Sequence, residues 1–454
     1  MIKQNHNHGK ILILCSPSAG ILDSWLPVIK RINEQYPEIR FSIIFPRKRT
    51  VSEIDLSSTL IKILGRSIES VVFRERNLSK WYQCESLQQA KKQVTLSIFE
   101  RNLKKIGIKN RYARFLIRYV QKIFRKGDEI KFKSRETDLD SYISEFSGLF
   151  YDVYEHNKSY NREIISRAKN ILKFSISHGL NLIGENSKLR IPESPNEHDK
   201  TVVFSFSENE KKLYKEKYGV PLENNFVIGI QRHDPEWIKN YIHLDEEKEK
   251  AATLFDDDYI FVISRPDSTD YLPTERAKRS IQIIKNIALN KLNAKIVIKL
   301  HPKEIKSGLY EDVLGEDNYG KTWTYSNAHP FTIGSKCMFA VSYYSGVPID
   351  LIAMDVPTIE LLDLRGIDKY ERLENRKDKN GAPMLYFRYN NLVLGASTQK
   401  EFFDQADKIL SNRNEVNTWL RKSYERIYKN PEGSIQRTVD IIIRKISNSV
   451  MSNC

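Results

Sequence analysis

The sequence predicts an α/β protein in which two Rossmann-like βαβ domains face a cleft and a helical tail closes the chain. Strand-length apolar segments alternate with amphipathic segments of helical period through both halves. A polar stretch with two prolines, residues 183–200, separates the halves. The chain has 454 residues, more than one domain usually contains. We therefore expect a first domain at 1–182, a second at 201–430 and a closing helix at 431–454.

The first half opens with the order strand, helix, strand. The segment KILILCSPSAGILDSWLPVIKRINEQYPEIRFSIIFP contains a strand, a loop of small residues ending at Gly20, a helix closed before Pro37 and a second strand. A mostly helical, basic insertion is expected at 86–135. The half ends with the helix NREIISRAKNILK and the strand FSISHG, which carries His178 and Gly179 at its end. The opening order of strand, helix and strand is that of a βαβ unit.

The second half repeats this alternation. The strand TVVFSFS is followed by a helix that Gly219 ends, and then by the strands NNFVIGIQ and DYIFVISR. A helix and the strand AKIVIKLHP come next. The segments CMFAVSYYSG, GVPIDLIAMD and PTIELL read as strand, helix and strand, and helices follow near 399–412 and 414–447.

The charge predicts an anionic partner. Lys and Arg number 73 against 58 Asp and Glu, a net charge of +15. The excess is concentrated in 101–135, where basic residues recur at helical steps with apolar residues opposite them. This helix either packs its apolar face inward or lies on an anionic membrane surface. The sequence contains no recognised nucleic-acid-binding module, so we do not expect a nucleic acid partner.

Cysteine usage and hydropathy bear on location. The four cysteines show neither metal-ligand nor disulfide-framework spacing, which is typical of a reducing compartment. The amino-terminal residues lack a signal-peptide pattern, and the apolar stretches are shorter than the roughly 20 residues of a membrane span. We expect a cytoplasmic protein, with peripheral contact at the inner face of the membrane if the basic helix binds there.

The first group of candidate site residues lies at the ends of two predicted strands. Ligands of open α/β sheets bind at the carboxyl ends of the strands. In IKLHPKE, Pro302 fixes its own φ and biases His301 away from helical geometry, while Lys299 adds positive charge and Glu304 follows. His178 ends the other strand, and its imidazole could accept a proton from a hydroxyl group. The alternative for His301 is a structural histidine that bonds only to the backbone.

A second group follows the strand CMFAV. Ser342, Ser345 and Gly346 precede a helix, where free backbone N–H groups can bind an anion, although Ser345 could equally be a simple helix cap. Asp350 lies about one and a half turns into that helix and could face the cleft to bind ribose, or could be solvated. Two arginines at other strand ends could bind phosphate with two N–H groups or remain at the surface without a ligand; they are Arg232 and Arg265. His233, which follows Arg232, is a further strand-end candidate.

In their order, the segments SHG, VVFSFSENEKKLYKEKYGV, IGIQRHDPEW, IKLHPKE and SYYSGVPIDLIAMDVPTI resemble bacterial surface-polysaccharide transferases of the GT-B type. The resemblance is to the CDP-glycerol glycerophosphotransferases and the capsule Kdo and sialic acid transferases. It implies a nucleotide bound by the second domain, with His301 and Ser345 at the phosphates and Asp350 at the ribose. It also implies that His178, with Gly179 beside it, contributes a base or an acceptor contact from the first domain.

The segment FDDDYIF reads as a turn before a strand rather than as a metal-binding DxD motif. We therefore expect a metal-independent transferase without a cofactor, acting on a nucleotide-activated donor and a saccharide or lipid-linked acceptor. The acidic motif of many sialyltransferases is not evident in the first half. A sugar-nucleotide 2-epimerase and a non-catalytic polysaccharide-assembly protein that kept the fold remain as alternatives.

Overall fold

The computed structural model describes most of the chain, with gaps. It covers residues 9–15, 20–54, 58–75, 80–105, 135–153, 159–177, 201–249, 255, 259–267, 271–301, 304, 308–367, 376–377, 381 and 383–451. The predicted site residues His178, Gly179 and Pro302 lie outside the described residues. So do the expected linker at 183–200 and residues 106–134 of the basic segment.

Within the described residues, the first sheet has nine strands in the order β5-β4-β3-β2-β1-β6-β7-β8-β9. Strand β4 pairs antiparallel with both β3 and β5 at one edge, and the other neighbours pair in parallel. The strands are β1 (Lys10–Leu14), β2 (Arg40–Phe45), β3 (Ile68–Glu75), β4 (Lys80–Cys84), β5 (Arg135–Thr137), β6 (Gly148–Asp152), β7 (Leu172–Ile176), β8 (Thr201–Ser205) and β9 (Asn225–Val227).

The second sheet, as far as the chain is described, has six parallel strands in the order β12-β11-β10-β13-β14-β17. A separate antiparallel pair is formed by β15 and β16. The strands are β10 (Tyr259–Ile263), β11 (Lys295–Lys299), β12 (Trp323–Tyr325), β13 (Phe339–Ser342), β14 (Thr358–Leu361), β15 (Arg376–Lys377), β16 (Pro383–Met384) and β17 (Leu394–Ala396).

Helices connect the strands and cover both sheets. No helix among the described residues is both long and apolar enough to cross a membrane. The α-helices span Gly20–Gln35, Lys48–Glu53, Thr59–Gly65, Leu87–Lys105, Leu139–Ser144, Ser159–Arg167, Glu208–Tyr218, Pro235–Glu249, Thr274–Asn290, Leu309–Leu314, Pro330–Gly334, Val347–Ile352, Tyr386–Tyr389, Gln399–Ser411, Arg413–Ile427 and Ser434–Met451. Short 3-10 turns span Leu222–Asn224, Gln231–His233 and Glu316–Asn318.

The helix Glu208–Tyr218 shows how local sequence sets element boundaries. The Ser207 side chain accepts a hydrogen bond from the backbone N–H of Glu210, and the Glu210 carboxylate accepts one from the N–H of Phe206. This reciprocal arrangement is a capping box. At the other end Gly219 adopts φ 67°, a left-handed conformation that glycine takes without a steric penalty. The predicted end of this helix at Gly219 is confirmed.

The structure differs from the sequence expectation in the placement of residues 201–227. Their position after the polar stretch predicts that they belong to the second half, but β8 pairs in parallel with β7, where Val202 lies opposite Phe174. Strand β9 then pairs with β8, and the second sheet begins only at Tyr259. An apolar run predicts a buried strand but carries no information on which neighbour it will pair with, because that choice is made by tertiary packing.

The closing helix Ser434–Met451 returns to the first half. It packs against the helix Gly20–Gln35, and the side-chain amides of Gln35 and Gln436 are hydrogen-bonded at 2.8 Å. Strands β1 and β10 are buried along almost their whole length. Strands buried on both faces are typical of parallel sheets that helices cover on each side.

Candidate functional site

A partly buried group of charged and polar side chains lies where segments from the two sheets meet. Asp23 is in the first turn of the helix after β1, while Arg232 and His233 form the short turn after β9. His329 precedes the helix after β12, and Asp350 lies in the helix after β13. All five follow the carboxyl end of a parallel strand, the side where α/β sheets bind ligands. We call these residues, together with Tyr424, the strand-end network.

Asp350 is the centre of the network. Its Oδ1 accepts hydrogen bonds from Arg232 Nε at 2.8 Å and from His233 Nε2 at 2.6 Å. The residue is only 6% exposed. Burial alone would raise the pKa of Asp350, but the charge of Arg232 and the hydrogen bond from His233 outweigh it and lower the pKa to about 2. Asp350 is therefore ionised at neutral pH.

His233 is fully buried, and both of its ring nitrogens are used. Because the ionised Asp350 can only accept, we assign the proton of the imidazole to Nε2. Nδ1 then accepts from the Tyr424 hydroxyl, 2.9 Å away. Burial lowers the pKa of His233, although the hydrogen bond to Asp350 opposes this. His233 thus holds Asp350 in place as a neutral donor and has no ring nitrogen left to act as a base.

Asp23 is the second carboxylate of the network and is held less tightly. Its Oδ2 lies 3.6 Å from Arg232 Nη1, and its Oδ1 lies 3.6 Å from His329 Nε2. Both are ion-pair distances, too long for direct hydrogen bonds. Burial alone would raise the pKa of Asp23, but His329 and Arg232 outweigh it and the net pKa is lowered. Asp23 is therefore an ionised carboxylate that faces Arg232, which follows β9 of the same sheet, and His329, which follows β12 of the second sheet.

The orientation of His329 is fixed by its helix. Its Nδ1 accepts a hydrogen bond from the backbone N–H of Phe331 at 3.2 Å, so His329 is the N-cap and its proton lies on Nε2, toward Asp23. The ring packs on Tyr241, with centroids 4.6 Å apart. Lys299 donates to the carbonyl groups of residues 327 and 328, at 3.1 and 2.7 Å. Lys299 therefore supports the loop before His329, and its contact with a phosphate stays a prediction.

A second, partly buried chain of hydrogen bonds orders the segment at His301. Glu304 Oε2 accepts from the backbone N–H of His301 at 3.2 Å, and Oε1 accepts from Ser264 Oγ at 2.9 Å. The Tyr310 hydroxyl in turn donates to Ser264 at 2.8 Å. Burial raises the pKa of Glu304. The role we infer for Glu304 is to fix the backbone that presents His301.

The loop after β13 is strained. Tyr344 adopts φ 79°, an outlier for a bulky residue. Arg265 Nη1 donates to the Tyr344 carbonyl at 3.0 Å, and Ser345 Oγ accepts weakly from the N–H of Val347 at 3.3 Å. The hydroxyls of Ser342 and Tyr344 are buried without a hydrogen-bond partner among the described residues. Strained backbone and unpaired polar groups of this kind concentrate at functional sites.

The structure brings some predicted site residues together and leaves others separate. Arg232 contacts Asp350, Arg265 contacts the loop that carries Ser345 and Gly346, and Glu304 contacts His301. The ribose role of Asp350 is not tested; its Oδ1 is used by protein groups. Three network members were not among the predicted site residues: Asp23, His329 and Tyr424. A carboxylate within the largely apolar first half of its helix could have singled out Asp23, but nothing in the sequence marked the other two.

Comparison with known proteins gives a consistent fold. No family model matches the sequence, and no curated protein matches it. Among solved structures, a putative UDP-N-acetylglucosamine 2-epimerase from Listeria monocytogenes matches with a TM-score of 0.56 at 10% identity, over 97% of each chain. A variant of the wall teichoic acid polymerase TagF matches with a TM-score of 0.54 at 12% identity, over 98% of this chain and 90% of that one. The UDP-GlcNAc 2-epimerase of Methanocaldococcus jannaschii matches with a TM-score of 0.52 at 13% identity, over 96% and 99%. With its two largely parallel sheets and its closing helices, this chain has the GT-B fold expected from its sequence.

Proposed function

We propose that the protein is a metal-independent glycosyltransferase or alditol-phosphate transferase that uses a CMP- or CDP-linked donor to build a bacterial surface polysaccharide. The strand-end network is the observation that carries this proposal. It combines a carboxylate from the first sheet with an arginine, two histidines and a carboxylate at the carboxyl ends of strands. Ligands of α/β sheets bind at such a position.

The donor binds at the second sheet. His301 and Ser345 contact its phosphates, and Arg265 holds the loop of Ser345 through its hydrogen bond to the Tyr344 carbonyl. Arg232 adds a guanidinium group that Asp350 holds in a fixed orientation. Donors that are fixed before reaction stabilise the charge that develops on a leaving phosphate, usually the largest single contribution to such a transfer. No metal is needed in this scheme, because cationic and N–H groups take up that charge.

In the transfer step, the oxygen of an acceptor hydroxyl attacks the activated carbon of a nucleotide sugar or the phosphorus of a CDP-alditol. The bond to the nucleotide phosphate breaks, and the hydroxyl proton goes to His178. Both described histidines of the network have their ring nitrogens in hydrogen bonds or turned toward a carboxylate. This favours His178, which lies two positions after β7 in the sequence, as the base.

The acceptor is a saccharide or a lipid-linked saccharide of the capsule type. The basic segment 101–135 holds the cytoplasmic enzyme at the inner face of the membrane, where lipid-linked acceptors are presented. The support is the concentration of positive charge in that segment and in the chain as a whole.

The structural comparisons support two donor chemistries. One TagF structure was obtained after a soak with CDPG, at a TM-score of 0.53. A structure of the Methanocaldococcus jannaschii epimerase contains UDP-GlcNAc and UDP, at a TM-score of 0.51. The second observation favours a runner-up function, a sugar-nucleotide 2-epimerase that requires no separate acceptor. A non-catalytic protein that kept the fold is the third alternative.

One incubation separates these functions. Purified protein is mixed with CDP-glycerol, CMP-linked sugars or UDP-GlcNAc, each with and without an acceptor saccharide, and the products are followed by NMR. The transferase releases CMP from the cytidine-linked donor only when the acceptor is present, and His178→Ala abolishes the release. A 2-epimer formed from UDP-GlcNAc alone would establish the runner-up. The absence of any product, with no effect of His178→Ala on ligand binding, would favour the non-catalytic alternative.

A further inference from the structure

We propose that Asp23 is an internal competitor: its carboxylate occupies the position in which Arg232 and His329 bind a phosphate group, and the incoming ligand displaces it. The identity of the natural anion, a nucleotide phosphate, rests on the proposed function. The displacement itself rests on the geometry of the strand-end network.

The two carboxylates of the network are bound in different ways. Asp350 accepts hydrogen bonds of 2.8 and 2.6 Å. The groups that face Asp23, Arg232 Nη1 and His329 Nε2, each lie 3.6 Å from a carboxylate oxygen of Asp23. Arg232 uses only its Nε in a hydrogen bond with a described residue, and His329 uses only its Nδ1. The Nη1 of Arg232 and the Nε2–H of His329 therefore both face the Asp23 carboxylate, but neither is close enough to donate a direct hydrogen bond to it. A gap above 3.5 Å between such groups is one that a water or a ligand oxygen can bridge.

Charge explains why the ligand and Asp23 compete. Arg232 supplies one positive charge against the carboxylates of Asp23 and Asp350, so these three side chains together hold an excess of one negative charge. A phosphate group that approached Arg232 would meet the charge of Asp23 at short range. Asp350 cannot yield, because it is buried and directly hydrogen-bonded. The Asp23 side chain is 21% exposed, against 8% for Asp350, and can turn toward solvent.

Displacement also changes a contact between the two halves. Asp23 belongs to the helix that follows β1 of the first sheet, whereas His329 follows β12 of the second. The contact of Asp23 with His329 is therefore present without ligand and lost with it. Binding of the anion releases a restraint between segments of the two sheets.

Calorimetric titration of the full chain with inorganic pyrophosphate tests the proposal. The Asp23→Asn variant removes the charge and keeps the size, and we expect roughly tenfold tighter binding, the effect of removing one like charge a few ångströms from an anion at a screened protein surface. The His329→Asn variant keeps an N-cap side chain but loses the Nε2–H, so binding should weaken. In the double variant the gain from Asp23→Asn should shrink, because the two residues share one ligand position.

The matched control is Asp404→Asn in the helix Gln399–Ser411. It removes an exposed carboxylate that pairs with Lys400 of the same helix, outside the strand-end network, and should leave the affinity unchanged. Weaker or equal binding by Asp23→Asn overturns the proposal, as does an absence of binding in both the wild type and that variant. The gain in affinity can occur only in folded protein. If Asp23→Asn binds pyrophosphate more tightly while no nucleotide donor is consumed, the competitor role stands and the proposed function fails.

Discussion

Replacing Asp350 by Asn tests whether this carboxylate is the anchor of the strand-end network. Asn keeps the shape of the side chain but loses the negative charge, which pairs with Arg232 and strengthens the hydrogen bond from His233. The pKa of Asp350 falls from an ordinary 3.8 to about 2 in the folded protein, which corresponds to about 2–3 kcal/mol of stabilisation of the folded state. Removing one partner of a buried pair also leaves Arg232 without its hydrogen-bonded carboxylate, so the expected loss is about 3–5 kcal/mol at pH 7.

The pKa shift of Asp350 also predicts how its contribution to the free energy of unfolding depends on pH. The folded-state pKa of Asp350 lies below the unfolded-state value, so its stabilisation is complete above about pH 4 and is lost as the pH falls toward about 2. Urea unfolding followed by tryptophan fluorescence at pH 7 and pH 3 should therefore show the gap between wild type and Asp350→Asn narrowing at the lower pH. The exposed Asp355, paired with Arg421, is the matched control, and its Asn variant should lose less than about 1 kcal/mol. If Asp350→Asn unfolds at the wild-type urea concentration at pH 7, or if the gap is independent of pH, the reasoning fails.

Two further substitutions test the supports of the network. Tyr424→Phe removes the hydroxyl that donates to the buried Nδ1 of His233 and should lower the free energy of unfolding by about 1–3 kcal/mol in the same urea assay; an unchanged midpoint would contradict the assigned tautomer. Gly334→Ala places a Cβ in steric overlap with Leu351 Cδ2, which should cost about 1–3 kcal/mol, whereas Gly65→Ala meets no atom within 4 Å and should be tolerated; equal melting temperatures for the two variants would show that the packing at Gly334 is looser than described.

The sequence predicted the fold class because its signals are local. Strand-length apolar runs such as β10 and β11 and the glycine cap at Gly219 are set by short-range sterics and burial, and the structure confirms them. The antiparallel strands β4 and β5 were missed because they are short and lack a strong apolar pattern. The pairing of β8 with β7 was misplaced because strand order depends on contacts between distant segments.

The site was predictable only in part, for the same reason. Strand-end positions suggested Arg232 and Asp350, and the structure places them in contact at 2.8 Å. The contact of Asp23 with His329 joins residues more than 300 positions apart, and His329 follows β12, a three-residue strand that the sequence pattern did not reveal. Long-range pairs of this kind carry no local signature. The roles of His178 and Gly179 stay predictions.

The most direct test of the central claim is calorimetric titration of the full chain with CMP, CDP, UDP and GDP at two salt concentrations, repeated on His301→Ala. An exposed histidine elsewhere, His243, provides the matched control as His243→Ala. The account predicts selective binding of a cytidine nucleotide, weaker at the higher salt concentration, abolished by His301→Ala and unaffected by His243→Ala. Selective binding of UDP or GDP would contradict the proposed donor, and a failure to bind any of the four nucleotides would contradict the claim that this cleft is a nucleotide site.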